Sequence, residues 1–330
     1  MDRSKFIQSS ARVRVLEKKL LSKEVFNRLA EAETLEDALR SLSDTVYNEY
    51  INKLESPTEY EKILTAEIER FYKEIYEISP SDLPVDLVTL KYFFHNLRVV
   101  LKEDVLNSDL SHLIMNIKDF DLKKYREGYS DSTITHGYFG ILDQAAKLYE
   151  EEKNPPIIDI YLDNKYLEEL SIIANETDSD LFKGYVKDLI DFTNIRTLLR
   201  AKNQERDHDF LERIIIDGGN ISVSTFLELF TIEINPDMKV FKKLNIYKYI
   251  REGLERYKKV GRVSDFERDL DNYFLDLIED VKYMTYGPEV IFAYCLRKEM
   301  EIKNLRIIFV SKLNGLDSEF IRGKLRGNYV

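Results

Sequence analysis

The clearest hydrophobic pattern in this chain lies near its C-terminal end, between two punctuating pairs. Gly287-Pro288 offers a permissive N-cap and a proline at the first helical position, where its missing N–H costs nothing. Asn314-Gly315 offers a left-handed stop. The pattern predicts one helix of 26 residues, Pro288 to Leu313, roughly 39 Å long at 1.5 Å per residue. From Leu305 to Val310 it is apolar nearly all round except for Arg306, which predicts burial of that end.

A short phrase inside this helix occurs twice more. Asn304-Leu305-Arg306-Ile307-Ile308-Phe309 is matched by Asn96-Leu97-Arg98-Val99-Val100-Leu101 and by Asn194-Ile195-Arg196-Thr197-Leu198-Leu199. The arginines stand 98 and 110 residues apart in a chain of 330, so the phrase marks three repeats that fill it. Ser81-Asp82-Leu83-Pro84 opens a helix ahead of the first phrase, and Asp178-Ser179 opens one ahead of the second. Each phrase thus falls in the second half of a long helix.

Shorter helices with their own caps precede the long ones. Thr34-Leu35-Glu36-Asp37 resembles a capping box, Asp163 precedes Tyr166-Leu167-Glu168-Glu169-Leu170, and Ser222 precedes Phe226-Leu227-Glu228-Leu229-Phe230. Asn154-Pro155-Pro156 breaks the helical pattern, Asp217-Gly218-Gly219-Asn220 marks one boundary, and Leu106-Asn107-Ser108-Asp109 marks a weaker one. The expected division is therefore into repeats at 1–108, 109–217 and 218–330. Units of this length are small domains rather than single hairpins of a solenoid.

Composition agrees with helices. The 12 glycines and 7 prolines make about 6% of the chain, against roughly 12% in average usage, so turns are few and elements long. Strand-like runs such as Ile214-Ile215-Ile216 are short and do not recur at the spacing of a β-sandwich. Hydrophobic residues at 44% and charged residues at 33% describe a globular chain rather than a disordered one. One cysteine, Cys295, allows no intrachain disulfide and fits a reducing compartment.

Charge and hydropathy exclude several classes of function. A formal charge of −11 disfavours nucleic acid, and contact with anionic lipid is expected to run through a protein partner. Met1-Asp2-Arg3-Ser4-Lys5 lacks the apolar core of a signal peptide. The stretches Val290–Leu296 and Leu305–Val310 stop well short of the ~20 residues that span a bilayer. No membrane crossing is expected of the chain itself.

No catalytic constellation emerges. His95, His112, His136 and His208 lie in unrelated contexts, and Glu205-Arg206-Asp207-His208 spells only one E-x-x-H, where a di-metal bundle needs two. Neither Gly218-Gly219 nor the Gly323–Gly327 region sits in a P-loop frame. Cys295 reads as a buried small hydrophobe, and Glu150-Glu151 as a solvated face. No cofactor, metal or catalytic residue is expected. The recurring residues Asn96, Arg98, Asn194, Arg196, Asn304 and Arg306 are read as the structural core of the repeats. An arginine in an apolar helix needs partners, and two readings stay open: each pairs with a carboxylate or helix end, or the three meet a partner around a shared axis.

Two segments carry a family resemblance. The opening Ala11-Arg12-Val13-Arg14-Val15-Leu16-Glu17-Lys18-Lys19-Leu20-Leu21 resembles the start of the C subunit of the bacterial and archaeal V-type (A/V-type) ATPases, to which the d subunit of the eukaryotic V-ATPase is related. The ending is the more specific match: Gly287-Pro288-Glu289, then Lys298 to Ile308, then Lys312-Leu313-Asn314-Gly315-Leu316, continuing from Ile321-Arg322 to Tyr329-Val330. The resemblance implies an all-α funnel of three similar domains with pseudo-three-fold symmetry. It implies a non-catalytic protein on the cytoplasmic face of the membrane rotor ring, receiving the tip of the central axle, which the D and F subunits form. Such a protein couples axle rotation to a ring that moves protons or sodium. No family binding residue matches this chain position by position. The alternatives are a helical adaptor of another complex, or an enzyme built on scattered carboxylates, which requires a pocket with converging ionisable groups.

Overall fold

A computed structural model describes residues 2–128, 137–261, 263 and 265–327; His136, Tyr329 and Val330 lie outside the described residues. Among the described residues every regular element is helical and no strand occurs, so the fold is all-α as the sequence predicts. The chain divides into two compact units, Met1–Val88 with Glu267–Val330, and Thr89–Phe266.

The first unit contains α1 (Ile7–Leu16), α2 (Lys23–Glu31), α3 (Leu35–Arg40), α4 (Asn48–Ile51) and α5 (Tyr60–Ile78). The chain then runs through α6 (Leu83–Leu106) into the second unit. There it forms α7 (Leu122–Gly128), α8 (Tyr138–Glu152), α9 (Pro156–Asn175), α10 (Asp180–Asn203), α11 (His208–Ile214), α12 (Val223–Thr231), α13 (Lys239–Lys242) and α14 (Tyr247–Val260). It returns along α15 (Asp265–Leu277) and finishes with α16 (Pro288–Leu313) and α17 (Ser318–Lys324).

The bounds of α16 are those its punctuation predicts, with Gly287 as N-cap and Gly315 left-handed at φ 68°. Its expected burial beyond Leu305 holds on one face only. Leu305, Ile308 and Phe309 are buried, whereas Arg306, Val310 and Leu313 are exposed. Thr34 and Ser222 cap α3 and α12 by accepting the N–H of Asp37 and Thr225. Asp163 does not start a helix. It lies inside α9, because Pro156 at the first turn opens a helix that runs without a break to Asn175. Ile214 ends α11, and Ile215 follows in extended backbone without a strand partner.

The core of the first unit contains charge. Lys298 on α16 is 3% exposed and lies 2.8 Å from Glu67 and 2.7 Å from Glu301. Tyr47 donates to Glu301 at 2.6 Å, and Arg70 forks onto Glu67 at 2.8 and 2.9 Å. Two carboxylates and two cations balance, which is the condition under which buried charges are tolerated. Burial and the adjoining Glu301 carboxylate push the Tyr47 hydroxyl well above its ordinary pKa, so it remains a donor.

Candidate functional site

The three recurring phrases lie in the second halves of α6, α10 and α16, and their asparagines make the same unusual contact. Asn96 Nδ2 donates to the Met115 carbonyl at 2.7 Å, and Asn96 Oδ1 accepts the Met115 N–H at 2.9 Å. Asn194 does the same to Ile216, at 2.7 and 2.9 Å. Asn304 does the same to Arg326, at 3.1 and 2.8 Å. These asparagines are 1%, 0% and 0% exposed, so their polar atoms need partners inside the protein. A carboxamide presents one donor and one acceptor side by side, and so matches both backbone groups of one residue. Aspartate, which cannot donate when ionised, cannot replace it.

What lies between each asparagine and its clamped residue is also repeated. Eleven residues after the asparagine, the helix ends on a left-handed residue: Asn107 (φ 48°), Glu205 (φ 52°) or Gly315 (φ 68°). The next N–H turns back to the carbonyl five residues earlier, Ser108 to Glu103, Arg206 to Ala201 and Leu316 to Ser311, at 3.0–3.2 Å. Thirteen residues after the asparagine stands an aspartate that caps the following turn. Asp109 accepts from Ser111 at 2.9 Å, and Asp207 and Asp317 accept from Phe210 and Phe320 at 2.7 Å. The capped turn delivers the clamped residue. Stop, cap and clamp therefore form one device, made three times.

The arginines are placed differently from the asparagines. Arg98 contacts Asp163 at 2.6 Å and Asp159 at 2.8 Å, and Lys102 also reaches Asp159 at 3.0 Å. Asp163 is itself exposed, and it feels the positive charge of Arg98 and, more weakly, of Arg196. Arg306 forks onto Glu61 at 2.8 and 3.0 Å, with both side chains about half exposed. The reason is periodicity. Two helical residues turn the side chain through about 200°, so a phrase that buries its asparagine turns its arginine away from the clamp; Arg306 is exposed, and Arg98 and Arg196 are half-buried.

Other candidate chemistry is dispersed. His208, Asp209 and Glu212 are exposed on α11 with ligand-type atoms within 4.8 Å of one another. Glu205 does not join them, because it is the stop residue before α11. His95 meets the Leu113 carbonyl at 2.9 Å, and His112 is exposed. Cys295 is buried, and burial pushes its thiol well above the usual pKa. A cavity of about 280 Å³ in the second unit is lined by Leu199, Lys202, Glu233 and Ile234 among others. Its Lys202 is engaged with two backbone carbonyls and its Glu233 with Lys258.

The family model described as ATP synthase (C/AC39) subunit matches residues 9–324. The chain belongs to the ATP synthase (C/AC39) subunit family. Similar proteins include the C subunit of the A-type ATP synthase of Methanocaldococcus jannaschii, 25% identical over 98% of this chain and 87% of the relative. The C subunit of the V-type sodium ATPase of Enterococcus hirae is 23% identical over 96% of this chain and 97% of its own length. The C subunit of the A-type ATP synthase of Methanosphaera stadtmanae is 26% identical over 92% and 83%.

Membership of the C/AC39 family makes the chain a non-catalytic subunit of a heteromeric, membrane-associated ATP synthase complex. Among the described residues no helix is long and apolar enough to cross a membrane. The family match runs from within α1 to the end of α17 and so contains all three phrases, stops and caps. The aspartates at 109, 207 and 317 are not singled out by the sequence pattern, although each lies thirteen residues after its asparagine. The clamped residues Met115, Ile216 and Arg326 share no side-chain chemistry, since only their backbone is used, and carry no signal in sequence.

Proposed function

We propose that this chain is the central-stalk subunit of a rotary ATPase that joins the rotating axle, made of the D and F subunits, to the membrane rotor ring. In this reading it is peripheral, on the cytoplasmic face of the membrane, and attached through the ring. Its repeats form a funnel with pseudo-three-fold symmetry, through which rotation passes to a ring moving protons or sodium. The observation that carries the proposal is the family match over residues 9–324, shared with relatives that are subunits of such machines.

The geometry supports it. Torque transfer requires a body that does not yield, and densely packed helices have low compliance. Three spines that end, cap and clamp alike suit a pseudo-three-fold body, with Asn96, Asn194 and Asn304 as scaffold. Arg98 and Arg306 serve the same scaffold through carboxylate pairing. In this proposal the 1–108, 109–217 and 218–330 division shifts, because contacts of the spines cross its boundaries. The Asn96–Met115 clamp crosses the first boundary, so the first repeat extends past Met115. Exposed apolar residues stand at both ends of α16: Tyr283 and Tyr286 before its start, and Val310, Leu313, Leu316 and Phe320 around its end. A coupler needs contact surfaces at two ends, and these are the candidates.

Affinity capture with the axle proteins and, separately, with the membrane ring tests the proposal. Retention of the chain by both is the expected result. Retention by neither overturns it.

A further inference from the structure

The short helices lying on two of the spines are held by matching contacts, and one of them comes from the far end of the chain. In the second repeat the helix is α12. Asp191, three residues before Asn194, accepts the N–H of Ile221 at 3.1 Å, and Ser222 follows as N-cap. At the other end Lys202, eight residues after Asn194, donates to the carbonyls of Phe230 and Ile232 at 2.6 and 2.8 Å. Phe226 and Leu229 are buried between these contacts.

In the third repeat the same positions hold α2. Glu301, three residues before Asn304, accepts the N–H of Leu21 at 2.5 Å, and Ser22 follows at the N-cap position. Lys312, eight residues after Asn304, donates to the Ala30 carbonyl at 2.7 Å. Phe26 and Leu29 are buried at the spacing of Phe226 and Leu229. Desolvation lowers the pKa of both lysines, while the helix-end carbonyls they reach favour the charged form. The first repeat keeps the arrangement with other chemistry. Phe93, three residues before Asn96, packs on Phe120 at 5.6 Å, and Asp121 then caps α7 by accepting from Lys124.

In chain order α7 and α12 follow the spines they lie on. The α2 helix precedes its spine, and the Leu21–Glu301 contact spans 280 residues. We propose that α2 is a strap, supplied by the N-terminal segment to close the third repeat, which docks on and leaves α16 as one unit. A nine-residue helix has no stability of its own in water, so α2 is helical only while its Phe26, Leu29 and Ala30 face is docked. Its far end rests on Lys312 and on the pair between Arg322 and Glu31. The α12 helix is tied more closely. Its approach is pinned by Asn220, four residues after the clamped Ile216, which donates to both Asp188 and Asp191 at 2.9–3.0 Å. The strap thus opens more readily than α12.

Amide hydrogen exchange on the full-length chain tests this. Lys312→Met is expected to speed exchange across 21–31 by about tenfold, the factor for one lost charge-assisted hydrogen bond, with 60–78 unchanged. Lys312→Arg should restore most of the protection, and Lys202→Met should act in the same way across 221–231. Glu31→Gln, an exposed substitution that leaves the core intact, should speed exchange across 21–31 by a factor of about two. Two results overturn the strap. One is wild-type protection of 21–31 in both the Lys312→Met and Glu31→Gln chains. The other is loss of protection there only together with 60–78, which makes α2 part of the common core.

Discussion

The side chain of Asn194 lies against the backbone of Ile216 as one strand lies against the next, donating at 2.7 Å and accepting at 2.9 Å across 22 residues of sequence. Both partners are buried, so no water replaces a lost bond. Asn194→Ala leaves the N–H and C=O of Ile216 unpaired, at about 1–3 kcal/mol for each buried group, and a loss of roughly 2–4 kcal/mol is expected. Urea unfolding of the isolated chain measures it. A change below about 0.5 kcal/mol shows that the clamp does not hold the repeat.

How much of this is legible in the sequence depends on where each interaction lies along it. The bounds of α16 are legible because Gly287-Pro288 and Asn314-Gly315 act locally, through backbone conformation. The recurrence of the clamped helix is legible because asparagine, aliphatic residue and arginine keep a fixed spacing. Asp163 misleads because a capping residue type proves nothing inside a helix already opened by Pro156. The partners of Lys298, Glu301 and Asn304 are not legible. Glu67, Leu21 and Arg326 are brought to them by tertiary packing, and two of the three are recognised through backbone rather than by a motif.

Lys298 holds two buried glutamates in balance. Lys298→Met removes the shared cation, leaving Glu67 to Arg70 alone and Glu301 without a cation, so a loss of about 3–5 kcal/mol is expected. Thermal unfolding of the variant beside wild type checks this. An unchanged midpoint means that Arg70 and Tyr47 suffice to neutralise the pair.

The phrase arginine at 306 should behave quite differently. Arg306 and Glu61 are each about half exposed, and exposed pairs contribute about 0–1 kcal/mol. Arg306→Met is therefore expected to change stability by less than about 1 kcal/mol, and the same unfolding assay reads it. A loss of several kcal/mol gives this arginine a core role that its exposure does not.

Asp191 makes stability depend on pH. Burial, opposed by hydrogen bonds from Ile221 and Asn220, raises its pKa from 3.8 to about 6. Between those values the folded chain keeps a proton that the unfolded chain has lost, so the contribution of this group to stability falls as pH rises and is gone above about 6. Asp191→Asn removes that slope. From pH 4 to pH 7 the variant should gain on the order of 2–3 kcal/mol relative to wild type. Parallel stability curves across this window contradict the assignment. The adjoining turn is as demanding, since a Cβ on Gly219 stands 2.2 Å from Asp191 Oδ1, and Gly219→Ala should lower stability at every pH.

The central claim is that this non-catalytic chain carries rotation from axle to ring. The most direct measurement is ion uptake per ATP hydrolysed by the complete ATPase in sealed vesicles, assembled with wild-type chain or with a Leu313→Asp, Phe320→Asp chain. These two residues are 50% and 45% exposed, so the substitutions leave the helical core in place. The account predicts that the variant complex still hydrolyses ATP while uptake per ATP falls several-fold. Uptake per ATP at the wild-type level, with the chain omitted or carrying both substitutions, contradicts it.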